Sequence, residues 1–260
     1  MRVSLIQLAV TDEESPADRS DRAAALVRAE RDHGADLVVL PELWLAGGFA
    51  YETWQGSAEP VSSSPAVAAM AAARDELGTW LHAGSFVESA PDGTLYNTSV
   101  LLGPDGVEAR YRKIHRFGFD EGEAKLMGAG EEIVAVPTPF GTLGLATCYD
   151  LRFPEMFRLL TDQGMELLAV CSAWPERRVE HWRILNRARA IESQVFVFAA
   201  NCAGRHAGAV MGGRSVIVDP WGTIVAEAGT DEEVLRAEID PALVADTRRV
   251  LPVLRDQRLR

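Results

Sequence analysis

Short apolar runs alternate with amphipathic stretches along the chain. Twelve runs are rich in aliphatic and β-branched residues, and several are apolar throughout, which is typical of strands covered on both faces. They predict strands at 3–9, 36–40, 80–87, 98–102, 107–111, 133–136, 143–148, 166–171, 195–201, 215–218, 223–226 and 234–239. Apolar residues at helical spacing predict helices at 18–31, 66–77, 154–160 and 179–191.

This order of elements predicts a layered α/β sandwich with sheets inside and helices outside. Asn97-Thr98 and Pro104-Asp105-Gly106 are expected at tight turns between antiparallel strands. No long Pro/Gly/Ser tract interrupts the chain, so we expect one domain over residues 1–260.

Composition and charge exclude several function classes. The chain has 26 Lys+Arg against 38 Asp+Glu, and its formal net charge of −12 would repel nucleic acid and anionic lipid. No apolar run approaches the roughly 18 residues of a membrane span, and the first residues lack the apolar segment of a secretory signal. We therefore expect a cytoplasmic protein that binds neither nucleic acid nor membrane.

The three cysteines are widely spaced and form no CxxC pair, so neither a disulfide framework nor a thiolate metal site is indicated. Cys171 lies inside an apolar run, as a core residue would, and Cys202 follows another buried strand and is ambiguous. Cys148 differs because a predicted helix follows it closely. The positive end of a helix lowers the pKa of a thiol and can bind an oxyanion, so Cys148 is the candidate nucleophile.

Two other side chains stand at predicted strand ends. Glu42 follows an apolar strand and Pro41, where burial could tune a carboxyl group as a general base, although a helix cap or a surface acid is an equally common role. Lys113 ends another strand in a chain whose only other lysine is Lys125, although an exposed ion pair is the usual role of such a lysine. A base, a cation and a thiol together supply what acyl transfer requires.

The blocks around these residues resemble the three signature segments of the nitrilase superfamily of carbon–nitrogen hydrolases. They are Leu40-Pro41-Glu42, Tyr111-Arg112-Lys113-Ile114-His115 and Cys148-Tyr149-Asp150-Leu151-Arg152-Phe153-Pro154-Glu155. The resemblance implies a four-layer α-β-β-α sandwich of the nitrilase type. It also implies neither metal nor organic cofactor, and a homodimer or higher homo-oligomer built by back-to-back stacking.

By the same resemblance, Cys148 is the nucleophile, Glu42 the general base and Lys113 the cation that stabilises the tetrahedral intermediate. A second glutamate is expected between the lysine and cysteine blocks. Glu121 and Glu123 both compete for this role. We favour Glu123 because it lies seven residues before Gly130, which matches the glycine that closes this loop in the family.

The resemblance also bears on the substrate. The backbone N–H of Tyr149 would be a second oxyanion donor. Cys148-Tyr149-Asp150 and Trp174-Pro175 resemble the amidase branch that includes omega-amidases and deaminated-glutathione amidases. That branch acts on short amides with a remote carboxylate, so Trp174 and either Arg116 or Arg177 are candidate substrate contacts.

The expected activity is hydrolysis of a small carboxamide to a carboxylate and ammonia through a cysteine thioester. The alternatives are a nitrilase or an N-carbamoyl hydrolase with the same triad, a catalytically silent scaffold, and a Cys–His hydrolase using His115 or His181. A further group of arginines is expected to form ion pairs around Asp150, Glu155 and Glu192, namely Arg152, Arg187 and Arg189.

Overall fold

The computed structural model describes residues 1–259. These residues form fourteen strands and seven α-helices. The strands are β1 Arg2–Gln7, β2 Leu37–Val39, β3 Trp80–Ser89, β4 Leu95–Gly103, β5 Gly106–Arg112, β6 Ala135–Thr138, β7 Gly141–Thr147, β8 Leu167–Ser172, β9 Phe196–Asn201, β10 Arg205–His206, β11 Ala209–Val210, β12 Val216–Val218, β13 Ile224–Glu227 and β14 Glu233–Glu238. The helices are α1 Pro16–Ala29, α2 Tyr51–Ser57, α3 Pro65–Leu77, α4 Glu123–Leu126, α5 Pro154–Asp162, α6 Val179–Ser193 and α7 Ala242–Val250.

Twelve strands form two six-stranded mixed sheets, in the orders β14-β1-β2-β3-β4-β5 and β13-β12-β9-β8-β7-β6. Each sheet has three adjacent parallel strands, β1-β2-β3 in one and β7-β8-β9 in the other. The outer strand pairs are antiparallel. Ligand sites in α/β folds lie beyond the carboxyl ends of parallel strands. A ligand site is therefore expected at the segments that follow β2, β7 and β8.

Side chains of the first sheet alternate between two cores, as the period of two in a strand requires. Leu5 and Val39 belong to a hydrophobic cluster with residues of the second sheet. Ile6 and Val38 belong to another cluster, with the inner faces of α1 and α3. Helices α5 and α6 cover the far side of the second sheet, where Trp182 is fully buried. The layers are thus helix, sheet, sheet and helix.

Each of the twelve predicted runs overlaps a strand, and each of the four predicted helices is present. Sequence reasoning missed the helices α2, α4 and α7 and the two-residue strands β10 and β11. The turn expected at Asn97-Thr98 is wrong, because both residues lie inside β4, whereas Pro104 and Asp105 do form the turn between β4 and β5. No helix within residues 1–259 has the length and apolar character of a membrane span.

Candidate active site

Glu42 lies in the turn after β2 and joins the two sheets. Its backbone N–H donates to the Ser172 carbonyl of β8 at 3.3 Å, and its Oε2 accepts from the Ala173 N–H at 2.8 Å. The next residue, Leu43, has φ 44°, which is uncommon for a residue with a side chain. The side chain is buried rather than half-buried, since Glu42 is only 3% exposed. The fold therefore fixes this carboxylate in one orientation.

Lys113 follows β5 and points between the two sheets. Its Nζ donates to Glu42 Oε1 and to Glu123 Oε2, each at 2.7 Å. Burial disfavours the ammonium form, but the two carboxylates outweigh it and hold the pKa of Lys113 well above its usual value. Lys113 is therefore a buried positive charge held between two carboxylates.

Glu123 begins the short helix α4, whereas Glu121 is exposed. Besides Lys113, the carboxylate of Glu123 binds the backbone N–H of Phe117 at 2.7 Å. Burial, with the nearby Glu42 charge, raises the pKa of Glu123, although Lys113 opposes the shift. The structure thus brings Glu123, the residue favoured from the sequence, to the lysine.

Asn97 is the member of this cluster that sequence reasoning missed. Its Nδ2 donates to Glu42 Oε1 at 2.8 Å and to Glu123 Oε1 at 2.5 Å. Its carbonyl accepts the backbone N–H of Lys113 at 2.8 Å. Asn97 is followed in β4 by the polar residues Thr98 and Ser99, so the sequence did not distinguish it, and it was attributed to a turn.

Cys148 directly follows β7 and begins the 3₁₀ helix Cys148–Arg152. Its φ is 47°, in the left-handed region that strains a non-glycine residue, and such strain is common where a side chain must be aimed at a substrate. A capping box between Thr147 and Asp150 fixes the start of the helix. Tyr149 is the second residue of this helix, and N–H groups at that position have no acceptor within a helix.

The expected lowering of the Cys148 pKa is wrong. Burial and the neighbouring Glu42 carboxylate raise the pKa of Cys148 well above its usual value, and Lys113 opposes them only in part. The positive end of a single-turn helix does not overcome this desolvation. Cys148 therefore rests as a thiol, and a base must remove its proton during attack.

Asp150 holds the lysine and cysteine segments together. Its Oδ2 accepts from the Tyr111 hydroxyl at 2.7 Å, and its Oδ1 lies 2.8 Å from His115 Nδ1. His115 also stacks on Phe153, with ring centroids 3.7 Å apart. Its imidazole is thus occupied with Asp150, and it does not line the cavity at Cys148. The geometry offers no Cys–His pair at this position.

His181 does not supply that pair either. Its Nδ1 lies 3.3 Å from the guanidinium of Arg152, and its ring is absent from the cavity lining. The carboxyl groups that share the cavity with Cys148 are those of Glu42 and Glu123.

A small cavity opens onto this cluster. Glu42, Lys113, Glu123 and Cys148 form its polar end. The remaining lining residues are mostly aromatic or cationic: Gly48, Phe49, Tyr51, Phe117, Tyr149, Arg152, Ala173, Trp174, Pro175 and Arg178. The structure thus places the two predicted contacts Tyr149 and Trp174 on the cavity wall.

The arginines are arranged differently from the expectation. Arg116 does not line the cavity, because its guanidinium donates to the carbonyls of Ala124 and Met127 at 3.3 and 2.7 Å. Arg177 does not line the cavity but lies in a neighbouring pocket, which Arg152 and Arg178 also line. Arg152 and Arg178 line the cavity instead, and sequence reasoning had assigned Arg152 to an ion pair.

The other expected ion pairs are partly present. Arg189 binds Glu192 at 2.6 Å, but Arg187 donates to the Gly222 carbonyl rather than to an acid. Within residues 1–259, no group of three or more His, Cys, Asp and Glu residues is arranged to hold a metal ion.

A thiol, an ammonium and two carboxylates in one buried pocket are the groups of a hydrolase that forms a covalent intermediate on cysteine. A family model described as carbon-nitrogen hydrolase matches residues 2–249. The chain belongs to this carbon–nitrogen hydrolase family.

Individual relatives agree with this assignment. The chain is 43% identical to a 2-oxoglutaramate amidase of Paenarthrobacter nicotinovorans, over 98% of this chain and 89% of the relative. It is 35% identical to an omega-amidase of Mus musculus, over 99% of this chain and 95% of the relative.

Among solved structures, the chain resembles Nit3 of Saccharomyces cerevisiae, a member of branch 10 of the nitrilase superfamily. The TM-score is 0.90 at 30% identity, covering 100% of this chain and 97% of the other. The superfamily and the four-layer α/β architecture expected from the sequence are confirmed.

Proposed function

We propose that this enzyme is an omega-amidase-like amidase that hydrolyses the terminal carboxamide of a short substrate bearing a remote carboxylate. The relatives named 2-oxoglutaramate amidase and omega-amidase support this substrate class. The observation that carries the proposal is a pair of cavity arginines, Arg152 and Arg178, that have no ion-pair partner within residues 1–259.

The reaction begins with the Cys148 thiol. Glu42 takes its proton as the sulfur attacks the amide carbon, while the Lys113 ammonium and the Tyr149 N–H stabilise the developing oxyanion. Glu42 then gives the proton to the leaving nitrogen, so ammonia departs and a thioester remains on Cys148. Water, deprotonated by Glu42, attacks the thioester and releases the carboxylate product and the free thiol. Glu123 holds Lys113 in place throughout.

Within the part of the chain that the structure describes, Arg152 and Arg178 lack an acidic partner, which explains why an anionic substrate suits the cavity. Burial and the positive charges of Arg177 and Arg152 lower the pKa of Arg178, so its charged form is electrostatically unsatisfied. Its guanidinium lies over the Phe117 ring, 5.0 Å from the centroid. Arg152 lies over the Trp174 ring at 4.7 Å. A substrate carboxylate would supply the missing counter-charge.

The protein's net charge of −12 gives no long-range attraction for such an anion, so recognition must be local. A hydrogen bond to a charged group contributes about 1.5–3 kcal/mol, roughly ten- to a hundredfold in kcat/KM. An omega-monoamide of a four- or five-carbon 2-oxo dicarboxylic acid should therefore be preferred to a neutral aliphatic amide of equal length by about that factor.

The test measures ammonia release from both amides by the wild type and by Arg178→Gln. The variant should lose most of its activity on the anionic amide and little on the neutral one. Arg183→Gln is the matched control, because Arg183 pairs with Glu227 and lies outside the cavity. Equal use of the two amides by the wild type would refute the substrate class while leaving amide hydrolysis intact.

Nitrilase and N-carbamoyl hydrolase activities use the same triad and are the second candidates. Nitriles and N-carbamoyl amino acids belong in the same ammonia assay. A higher kcat/KM on either class than on the amides would replace the proposal.

We also propose that the chain self-associates through its α5–α6 layer. Leu159, Ile184 and Ile191 on these helices are 54%, 61% and 49% exposed. Solvent exposure of several large apolar side chains in one layer is typical of an interface. Light scattering should give a mass of two or more chains, and Ile184→Glu should lower it. A monomeric wild type would refute this part.

A further inference from the structure

Two carboxylates share one ammonium in the buried cluster. Glu42 and Glu123 are 3% and 4% exposed, and both bind Lys113. Like charges held close together in a dry site disfavour one another, so one of them would tend to take up a proton.

The cluster contains one neutral donor that binds both acids. Asn97 is 3% exposed, and its amide group lies between the two carboxylates, each of which accepts from Nδ2. Its backbone carbonyl also holds the Lys113 N–H. Asn97 therefore touches the base, the second acid and the strand end that carries the cation, without itself bearing a charge.

We propose that Asn97 is a positioning residue that aims the Glu42 carboxylate at Cys148 by clamping the two glutamates around Lys113. This inference rests on the proposed amidase mechanism. Its direct consequence is that proton removal from Cys148, rather than substrate binding, depends on the Asn97 amide.

The titratable groups of this cluster and around it come from five segments, and Glu123 begins α4. Lys113 follows β5, Glu42 follows β2 and Cys148 follows β7. Tyr51, on α2, has its pKa raised by burial and by neighbouring acids that include Glu123. Because an amide hydrogen bond favours the ionised form of Glu123, its removal raises the pKa of Glu123 further. A protonated Glu123 holds the Lys113 ammonium less strongly, so the acidic limb of the pH profile should move to higher pH.

Asn97→Leu and Asn97→Val both remove the N–H donor, and leucine keeps approximately the volume of the side chain. We expect each to lower kcat by about ten- to a hundredfold, with KM changed less than threefold, because a hydrogen bond to a charged group is lost. The acidic limb of kcat against pH should shift upward. Ser99→Ala is the control, since Ser99 is buried on the same face of β4 and its hydroxyl has no partner.

A second readout does not require turnover. Alkylation of Cys148 by iodoacetamide also needs removal of the thiol proton, so its rate should fall in both Asn97 variants and not in Ser99→Ala. This separates the two proposals, because a wild type that hydrolyses no amide would refute the function while the alkylation rate still tests Asn97.

The deciding measurements are kcat and the Cys148 alkylation rate of folded Asn97 variants. Wild-type kcat and a wild-type alkylation rate in either folded Asn97 variant would overturn the proposal. If neither variant folds, asparagine-selective ¹⁵N labelling of the wild type replaces them. One side-chain amide signal must then titrate together with the alkylation rate, and its absence would overturn the proposal equally.

Discussion

Replacement of Lys113 by methionine should damage stability and catalysis for separate reasons. The side chain is 2% exposed, and its Nζ makes 2.7 Å bonds to both Glu42 and Glu123. Methionine fills a similar volume but leaves two buried carboxylates without their cation. Removing one partner of a buried ion pair costs about 3–5 kcal/mol, a large part of a typical stability of about 5–15 kcal/mol.

The catalytic loss has its own magnitude. Loss of one oxyanion donor typically costs about 2.7–4 kcal/mol, or roughly a hundred- to a thousandfold in kcat. Lys113→Arg should be nearly as inactive, because a planar guanidinium cannot occupy the position of a compact ammonium between two carboxylates.

Urea denaturation and ammonia release measure the two effects separately. Adding Glu123→Gln to Lys113→Met removes one unpaired charge, so the double variant should regain part of the stability but none of the turnover. A Lys113→Met protein as stable as the wild type would refute the electrostatic reasoning. Recovery of turnover in the double variant would refute the role of Lys113 as a catalytic cation.

Three further variants test other parts of the molecule. Cys148→Ala should fold normally and lose turnover. In the wild type, iodoacetamide should label Cys148 before the other two cysteines, because Cys148 is 9% exposed and they are 0% exposed. Mass mapping that finds another cysteine labelled first would contradict this. Burial lowers the pKa of His82 from 6.5 to about 4, so the folded state binds its proton more weakly and stability is lost as pH falls from about 6.5 towards 4. Between pH 7 and pH 5 the wild type should lose about 2 kcal/mol more than His82→Gln in urea denaturation, and equal losses would exclude this contribution. A Cβ on Gly84 would lie 2.1 Å from the Pro41 carbonyl, so Gly84→Ala should displace the Glu42 turn and lower kcat by about a hundredfold. Gly93→Ala has a similar positive φ without a nearby atom and should keep its activity; equal kcat values for the two variants would refute the displacement.

Local sequence determined most of the secondary structure and pointed to three residues of the candidate site. Apolar runs and turn residues act over a few positions, so twelve strands and four helices follow from the amino-acid pattern. Glu42, Lys113 and Cys148 could be proposed because each follows a predicted strand and lies in a block that resembles a known family. Residues at strand ends can be identified from sequence because the end of an apolar run marks the end of the strand.

Tertiary structure decided what depends on residues distant in the chain. Asn97 acts through acids 55 and 26 positions away, so its role exists only once β4 has paired with its neighbours. Which arginines line the cavity also depends on the fold. Arg116 donates to the Met127 carbonyl instead, whereas the segment after β8 places Arg178 on the cavity wall. The raised pKa of Cys148 also required the fold, because desolvation is a property of everything packed around the thiol.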